Sequence, residues 1–372
     1  MGTALITPVH TRHLTRQGGA GRGGAGRGLH TMGRTGTDHT KRRRAWLVTA
    51  GVCALAVVAG VTVATNTNVL GPRDLCDGRL SSEDAGKSLD GFGRVTGKIN
   101  YADGCFVEQS GWLPGTKDAR VALEPMSVNA VDPFGRKVWD MSGAQNILPG
   151  ALPGAFDQDG NGWVSLPPDC TPIAAGTAQG SRTVLHVNVE QGDVDPVELA
   201  RLARGAAREL AVDHDCIPPA EEPGSAGTDL LEASAVTRSD LAEVCGLTGF
   251  TLAATAPAGS PLQEQTSGSR DDAWFCDLSL EQPTTGLDKD QEHGAFARLA
   301  IIQNPALAPS AKERGFEHAV CGGKETYFAT DSLTFEWASP ETEEERAAAA
   351  FFPKSDVWDR FTAAARTALA CD

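Results

Sequence analysis

Thr183-Val184-Leu185-His186-Val187-Asn188-Val189-Glu190, followed by Asp195-Pro196-Val197-Glu198, reads as a strand running into a helix. The first segment is rich in β-branched residues and alternates, so Leu185, Val187 and Val189 share one face. The second supplies a helix start, with Asp at the N-cap, Pro at the first helical position and Glu at the third. Leu199, Leu202, Ala203, Ala206 and Leu210 then recur at helical spacing, and Cys216 ends the run. The expected unit is a strand with an amphipathic helix folded back on it, tied off by a cysteine.

A similar order recurs near the C-terminus. Ser332-Leu333-Thr334-Phe335-Glu336-Trp337 reads as a strand, and Ser355-Asp356 caps a helix carrying Trp358, Phe361, Ala365, Ala368 and Leu369 before Cys371. Apart from Cys53, eight cysteines follow in two sets of four: Cys76, Cys105, Cys170 and Cys216, then Cys245, Cys276, Cys321 and Cys371. The first gap is 29 residues in one set and 31 in the other, and the last gap is 46 and 50, whereas the middle gaps are 65 and 45. Four cysteines permit three pairings. The kept gaps favour Cys76–Cys105, Cys170–Cys216, Cys245–Cys276 and Cys321–Cys371. Closing such loops stabilises a fold by about 3–4 kcal/mol each in the chain-entropy model.

Local signals agree with an internal duplication. Leu80-Ser81-Ser82-Glu83-Asp84-Ala85 and Ser239-Asp240-Leu241-Ala242-Glu243 both offer helix starts. Trp274-Phe275-Cys276-Asp277-Leu278-Ser279-Leu280-Glu281 places residues 274, 276, 278 and 280 on one side of a strand, with a mostly polar opposite face. Cys105-Phe106-Val107-Glu108 is its counterpart. The fold class expected is α+β: two tandem related modules, each an antiparallel sheet with flanking helices and two disulfides, after one transmembrane helix. Module 1 covers residues 72–216 and module 2 residues 239–372. The Pro/Gly/Glu-rich stretch 217–238 joins them as a linker that permits relative motion.

The charge distribution points to two compartments. Residues 1–44 hold nine basic side chains and one acid, Asp38, for a charge of +8. With a whole-chain charge of −15 and none between Ala45 and Thr65, the remainder carries −23. A helix over residues 45–65, rising about 1.5 Å per residue, matches the ~30 Å hydrocarbon core of a bilayer. Lys41-Arg42-Arg43-Arg44 precede it and Trp46 stands at its start, so the expected orientation is N-terminus in the cytoplasm and body outside. The run is longer than the apolar core of a cleaved signal peptide, and Val52 before Cys53 does not suit a lipoprotein signal. Membrane lipid is thus an expected partner through residues 45–65. Residues 1–44 form a basic, Gly/Arg-rich, disordered tail without interleaved aromatics, which makes nucleic acid an unexpected partner. The compositional break near Met32 leaves translation from either Met1 or Met32 open.

Candidate chemistry is sparse. Asp157-Gln158-Asp159-Gly160-Asn161-Gly162-Trp163-Val164 matches a calcium loop at positions 1, 3, 5, 6 and 8, with Asp157, Asp159 and Asn161 as the metal ligands. The twelfth position is Pro168 instead of a bidentate Glu, and Asn-Gly also signals a hairpin turn. No HExxH, GxSxG or Ser-x-x-Lys motif occurs, and beyond residue 65 the histidines are His186, His214, His293 and His318. His214 between Asp213 and Asp215 suits a helix-end surface cluster better than a zinc half-site, and Glu341-Thr342-Glu343-Glu344-Glu345 suits a solvated helix start. Trp112, Trp139 and Trp163 lie near loops, as lids on a small core or as contact residues. No catalytic or cofactor-binding residue is singled out, and no cofactor beyond calcium is expected.

Ser127-Val128-Asn129-Ala130-Val131 and Asn146-Ile147-Leu148-Pro149-Gly150-Ala151-Leu152-Pro153-Gly154, with the Ala/Gly/Arg-rich style, single anchor and paired cysteines, resemble actinobacterial cell-envelope proteins of filamentous soil genera. The resemblance covers residues 41–216 best and the second copy loosely, and it implies localisation rather than mechanism. The function expected is that of a non-enzymatic binding or accessory module, with another envelope protein as partner. A membrane-tethered wall hydrolase and a structural spacer are the alternatives.

Overall fold

Antiparallel pairing follows from the alternation just described, because each strand has one face to bury and a short path back to its neighbour. The computed structural model describes residues 46, 49, 50, 52, 53, 56, 57, 60, 71–89, 93–99, 103–111, 116–128, 141–167, 170, 182–217, 229–252, 261–280, 297–313, 315–331 and 354–372. Residues 59–372 belong to one compact unit and residues 1–58 to another. In the latter the described residues, among them Trp46, Val52, Cys53 and Val57, are helical and exposed. Most of the expected span 45–65 lies outside the described residues, among which no helix is long and apolar enough to cross a membrane.

The fold is α+β, with antiparallel sheets, few helices and four disulfides. The chain enters through β1 (Asp74–Leu75), a 3₁₀ turn at Cys76–Gly78, and β2 (Leu80–Ser81). Helix α1 (Ser82–Ser88) starts where expected, with the Ser81 hydroxyl accepting the Asp84 N–H at 3.0 Å. A seven-stranded sheet follows, built from β3 (Val95–Ile99), β4 (Cys105–Ser110), β5 (Lys117–Val128), β6 (Asn146–Leu148), β7 (Gly154–Phe156), β8 (Gly162–Ser165) and β9 (Arg182–Gln191). Its order is β3-β4-β5-β9-β8-β7-β6. Helix α2 (Pro196–Asp213) then begins on the Asp195 carboxylate, which accepts the N–H groups of Val197 and Glu198.

The second sheet holds β10 (Thr237–Arg238), β11 (Leu262–Gly268), β12 (Ala273–Leu280), β13 (Ala297–Ile302), β14 (Glu317–Cys321) and β15 (Lys324–Asp331), in the order β10-β11-β12-β13-β15-β14. Helix α3 (Ala308–Glu313) follows β13, and α4 (Lys354–Ala368) closes the chain. The order β3-β4-β5-β9-β8 in one sheet runs like β11-β12-β13-β15-β14 in the other. Cys105 pairs with Leu123 in the first, and Cys276 with Leu299 in the second.

The disulfides are Cys76–Cys105, Cys170–Cys216, Cys245–Cys276 and Cys321–Cys371. In both sets the first cysteine has positive φ, 55° at Cys76 and 58° at Cys245, and lies in a 3₁₀ turn bridged to the second strand of the five just aligned. The last cysteine of each set follows a helix and a residue of positive φ, Asp215 or Ala370. Cys371 pairs beside Cys321, and the Asp372 N–H donates to the Val320 carbonyl at 3.0 Å, which covers part of the edge of β14.

Two expectations change, and a third falls outside the described residues. Ser239–Glu243 forms a turn rather than a helix, because Glu264 on β11 accepts the Ser239 hydroxyl at 2.5 Å and the Cys245 N–H at 2.8 Å, holding the segment against the sheet. The expected strand 332–337 lies outside the described residues, and β15 ends immediately before it. The expected mobility across 217–238 gives way to a shared core. One face of each sheet lies under its own helices, with Val121, Leu123, Leu185 and Val187 against α2, and Cys276, Leu299 and Phe328 against α4. The opposite faces meet. Ile147, Ala155, Trp163 and Val184 pack in one cluster with Phe275, Ala300, Ile302, Tyr327 and Ala329.

This joint explains why the far face of β12 is not wet. Phe275, Asp277 and Ser279 are all buried, and Asp277 pairs with Arg298 across β12 and β13 at 3.0 Å. The Gly143 N–H from the other sheet's side donates to the same carboxylate, and Ser267 donates to the Ser142 carbonyl at 2.6 Å. Burial raises the Asp277 carboxyl above its ordinary value despite Arg298. A Cβ at Gly143 would sit 2.1 Å from the Gln265 carbonyl oxygen, so the two backbones require glycine there. Residues 229–238 add to the seam, with Ile147 and Leu231 exchanging backbone hydrogen bonds at 2.9 and 2.8 Å.

Removing one member of a buried pair leaves the other charge unmatched. Arg298→Met should therefore lower unfolding stability by about 3–5 kcal/mol in a denaturant titration. Asp277→Leu with Arg298→Met should recover most of that loss, since an apolar pair of similar volume needs no compensation. A double variant as unstable as the single one would mean that the pair is not the source of the cost.

Candidate functional site

The β11–β12 turn, the β13–α3 connection and the start of β15 converge on a cleft of about 680 Å³. Asp271 and Asp272 come from the turn; Gln303 and Pro305 come from the connection. Ala308, Pro309 and Lys312 line it from α3, and Lys324, Glu325 and Tyr327 from β15. Helix α3 is seated because Leu307 and Ala311 are buried in the cluster between the sheets. The Asn304 side-chain oxygen accepts the Ala306 N–H at 2.8 Å, turning the chain into the helix.

Asp272 is the most constrained group in the wall. Its carboxylate accepts the Asn304 side-chain N–H at 2.7 Å and the Gly150 N–H at 3.3 Å, while Asn304 also donates to the Gly150 carbonyl at 2.9 Å. Gly150 has φ +100°, which suits glycine, and brings the Leu148–Gly154 loop under this clamp. Arg204 on α2 fastens the same loop by donating to the Pro149 carbonyl at 2.7 Å. Burial raises the Asp272 carboxyl above the ordinary carboxylate range, offset by its bonds to Gly150 and Asn304 and by the charges of Lys324 and Arg204. Gln303 and Tyr327 are buried, Gln303 donating to the Thr326 hydroxyl at 3.0 Å, whereas Asp271, Lys324 and Glu325 are exposed. Lys324 donates to the Asp271 carbonyl at 3.2 Å, and the Tyr327 hydroxyl donates to Glu325 at 3.4 Å. Burial, then Glu325, pushes the Tyr327 phenol up.

The predicted calcium ligands lie elsewhere, in the β7–β8 hairpin. One Asp157 oxygen accepts the N–H groups of Asp159 (2.9 Å) and Asn161 (2.8 Å), and the other accepts the Asn161 side-chain N–H at 3.2 Å. The Asn161 side-chain oxygen accepts the Val189 N–H at 2.8 Å, fixing the hairpin to β9. Asp157 and Asn161 thus serve as turn staples, their side-chain oxygens accepting N–H donors. A second hollow of about 400 Å³ adjoins this turn, bordered by Asp159, Glu190 and Asp193. Among the described residues no group of three or more His, Cys, Asp or Glu side chains is placed to hold a metal ion.

The other singled-out residues are dispersed. Trp163 is fully buried between the sheets; Trp112, Trp139, His293 and Glu341–Glu345 lie outside the described residues. His186 is half-buried beside Trp163 and Glu124 in the ladder, and burial lowers its pKa more than Glu124 raises it. His214 ends α2, with its Nε2 3.7 Å from Asp103, while Asp213 pairs with Arg79 at 2.9 Å. None of these lines the cleft. Sequence reasoning missed the cleft residues, because they come from three separated segments. The available signal was Ala297-Arg298-Leu299-Ala300-Ile301-Ile302, a nearly continuous apolar run of the kind that marks a strand buried on both faces.

No family model, curated protein or solved structure matches this chain.

Two outcomes follow from these geometries. Asp272→Asn keeps the shape but loses a carboxylate acceptor, and should cost about 1–2 kcal/mol at neutral pH. Because the folded carboxyl binds its proton above the unfolded value, the native state gains stability from this group as pH falls through the folded value, down to the unfolded one. The stability gap between wild type and Asp272→Asn should thus widen from pH 7 toward about pH 4. A constant gap would show that Asp272 does not titrate as the geometry demands. Asp157→Ala should lower stability by about 1–3 kcal/mol for its lost turn bonds, equally with and without a calcium chelator. A loss that vanishes in chelator would restore the calcium assignment.

Proposed function

We infer that this protein is a membrane-anchored, extracytoplasmic binding protein whose partner or ligand docks in the cleft below α3. The observation that carries it is the cleft itself: its volume lies in the range of small-molecule sites, and its walls rest on the joint between the two sheets. Placement outside the membrane is supported by the four disulfides, which persist in oxidising compartments. The uncharged residues 45–65 behind Lys41–Arg44 support the anchor and its orientation. The −23 charge beyond them disfavours direct binding of nucleic acid or anionic wall polymers. Another envelope protein is the partner this reading favours, in keeping with the resemblance to actinobacterial envelope proteins.

The shared order of five strands, the positive-φ cysteine turns and the cysteine-closed helices support a duplicated module as the origin of the two sheets. Between the corresponding strands the described residues of the first copy carry β6 and β7, and those of the second carry α3, the helix that borders the cleft.

A tethered wall hydrolase keeps one specific support. Asp272 is a carboxylate with a raised pKa in a cleft wall, the profile of a general acid. Its engagement by Gly150 and Asn304 favours the clamp role.

In-cell crosslinking followed by mass spectrometry, with thiols blocked at lysis, tests the binding reading. One envelope protein should be captured in near-equal amount, and external protease should remove the body while sparing residues 1–44. Capture of nothing but the chain itself, or cleavage of purified wall polymer by the full chain, would overturn it.

A further inference from the structure

Strand β14 ends the second sheet without the neighbour that its counterpart has. In the matching order of the two sheets it corresponds to β8, whose far side is paired to β7. On β14 the same side meets only a short clasp. Cys371 bridges beside Cys321, to which it is disulfide-bonded, and the Asp372 N–H donates to the Val320 carbonyl at 3.0 Å. That bond shows which backbone groups face away from β15: those of Val320 and, by alternation, those of His318. The N–H groups of both residues and the His318 carbonyl have no hydrogen-bond partner among the described residues. The strand also lacks the usual edge defences. Glu317-His318-Ala319-Val320-Cys321 holds no Lys or Pro, its register with β15 is unbroken, and Val320 is 41% exposed.

The clasp hangs on one of the less enclosed bridges. Cys76, Cys105, Cys245 and Cys276 are all buried, whereas Cys371 is partly exposed. Thiol–disulfide exchange requires access to a sulfur. Cys216 is partly exposed too, but opening Cys170–Cys216 would bare no edge, because β8 keeps β7. Opening Cys321–Cys371 leaves α4 seated by Val357, Phe361, Ala364 and Ala365, and releases the clasp alone.

We propose that Cys321–Cys371 is a redox-controlled guard: closed, it blocks the β14 edge, and opened by a dithiol, it lets two copies of this chain pair through that edge. One thiolate of the dithiol attacks the Cys371 sulfur, and Cys321 departs as a thiolate. The second thiolate then displaces Cys371, so the dithiol leaves as a disulfide and its two protons end on the two cysteines. The strands run antiparallel about a two-fold axis at Ala319, with His318 of one copy opposite Val320 of the other. Backbone groups unpaired in one chain thus meet their complements in the second. This pairing goes beyond the cleft reading and does not depend on it.

The test follows the mass of the full chain in detergent micelles by light scattering, before and after mild dithiol treatment. Alkylation and mass spectrometry locate the bridges that open. Cys321 and Cys371 should be alkylated while Cys76–Cys105 and Cys245–Cys276 stay closed, and the protein mass should double. The Cys321→Ser, Cys371→Ser double variant should be dimeric without reductant. His318→Pro removes an N–H that the β14–β15 ladder does not use, so it should fold and return the opened chain to a monomer. Val320→Lys places a charge on the same edge and gives an independent check that does not involve proline. A chain that stays monomeric once Cys371 is alkylated would overturn the guard. So would a dimer that persists in both edge variants, or a bridge that opens only as the whole protein unfolds, which would make Cys321–Cys371 a structural staple.

Discussion

The contact of two β-sheets through their inner faces is the constraint from which the rest of the body follows. An antiparallel sheet tolerates one wet face. Here, however, the faces turned away from the helices carry Trp163, Ile147 and Val184 on one side and Phe275, Ile302 and Tyr327 on the other, all buried. Separated, they would expose contiguous apolar patches. The Asp277–Arg298 pair lies on the same inner face, capped by the Ser142–Gly143 backbone. A buried pair is a poor source of net stability, but it penalises any seating that leaves a charge unmatched. Together with the glycine-only approach at Gly143, it gives the two sheets one way to meet.

The disulfides act on a different layer. Three join a turn or helix end to a strand of their own sheet, Cys170–Cys216 ties the end of α2 to the segment that follows β8, and none crosses the joint. They hold the helices and entry turns in place, so that each sheet presents a settled inner face. The Asp272–Asn304–Gly150 clamp then works across the joint, and the cleft is its rim. Its walls are therefore positioned by long-range packing rather than by a local motif, with Leu307 and Ala311 anchoring α3 from beneath.

Much of the local structure was legible. Ser81 and Asp195 are the N-caps that their residue types and neighbours announced, and Leu185 and Val187 share the buried face that alternation assigned to them. The cysteine pairing followed from which gaps were kept. Where local rules failed, a tertiary partner intervened. Ser239 and Asp240 look like a helix start, but Glu264 on β11 captures Ser239 and the Cys245 N–H. Asp157 and Asn161, offered by their spacing as calcium ligands, also staple a hairpin turn, their side-chain oxygens accepting N–H groups of Asp159, Asn161 and Val189. The cleft was illegible because Asp271, Lys312, Lys324 and Tyr327 have no common spacing in the chain.

By itself the sequence determined the α+β class, the cysteine pairing, the helix starts at Ser81 and Asp195, and the charge asymmetry about residues 45–65. These depend on periodicity, capping chemistry and composition, which act over a few residues or over the whole chain. Only the tertiary structure decided that the inner faces of the two sheets meet, that Asp277 and Arg298 are buried, and that α3 and β15 enclose a cleft. A sheet's second face reads as wet or dry only once its neighbour is known, because alternation specifies that two faces differ and not what covers each of them.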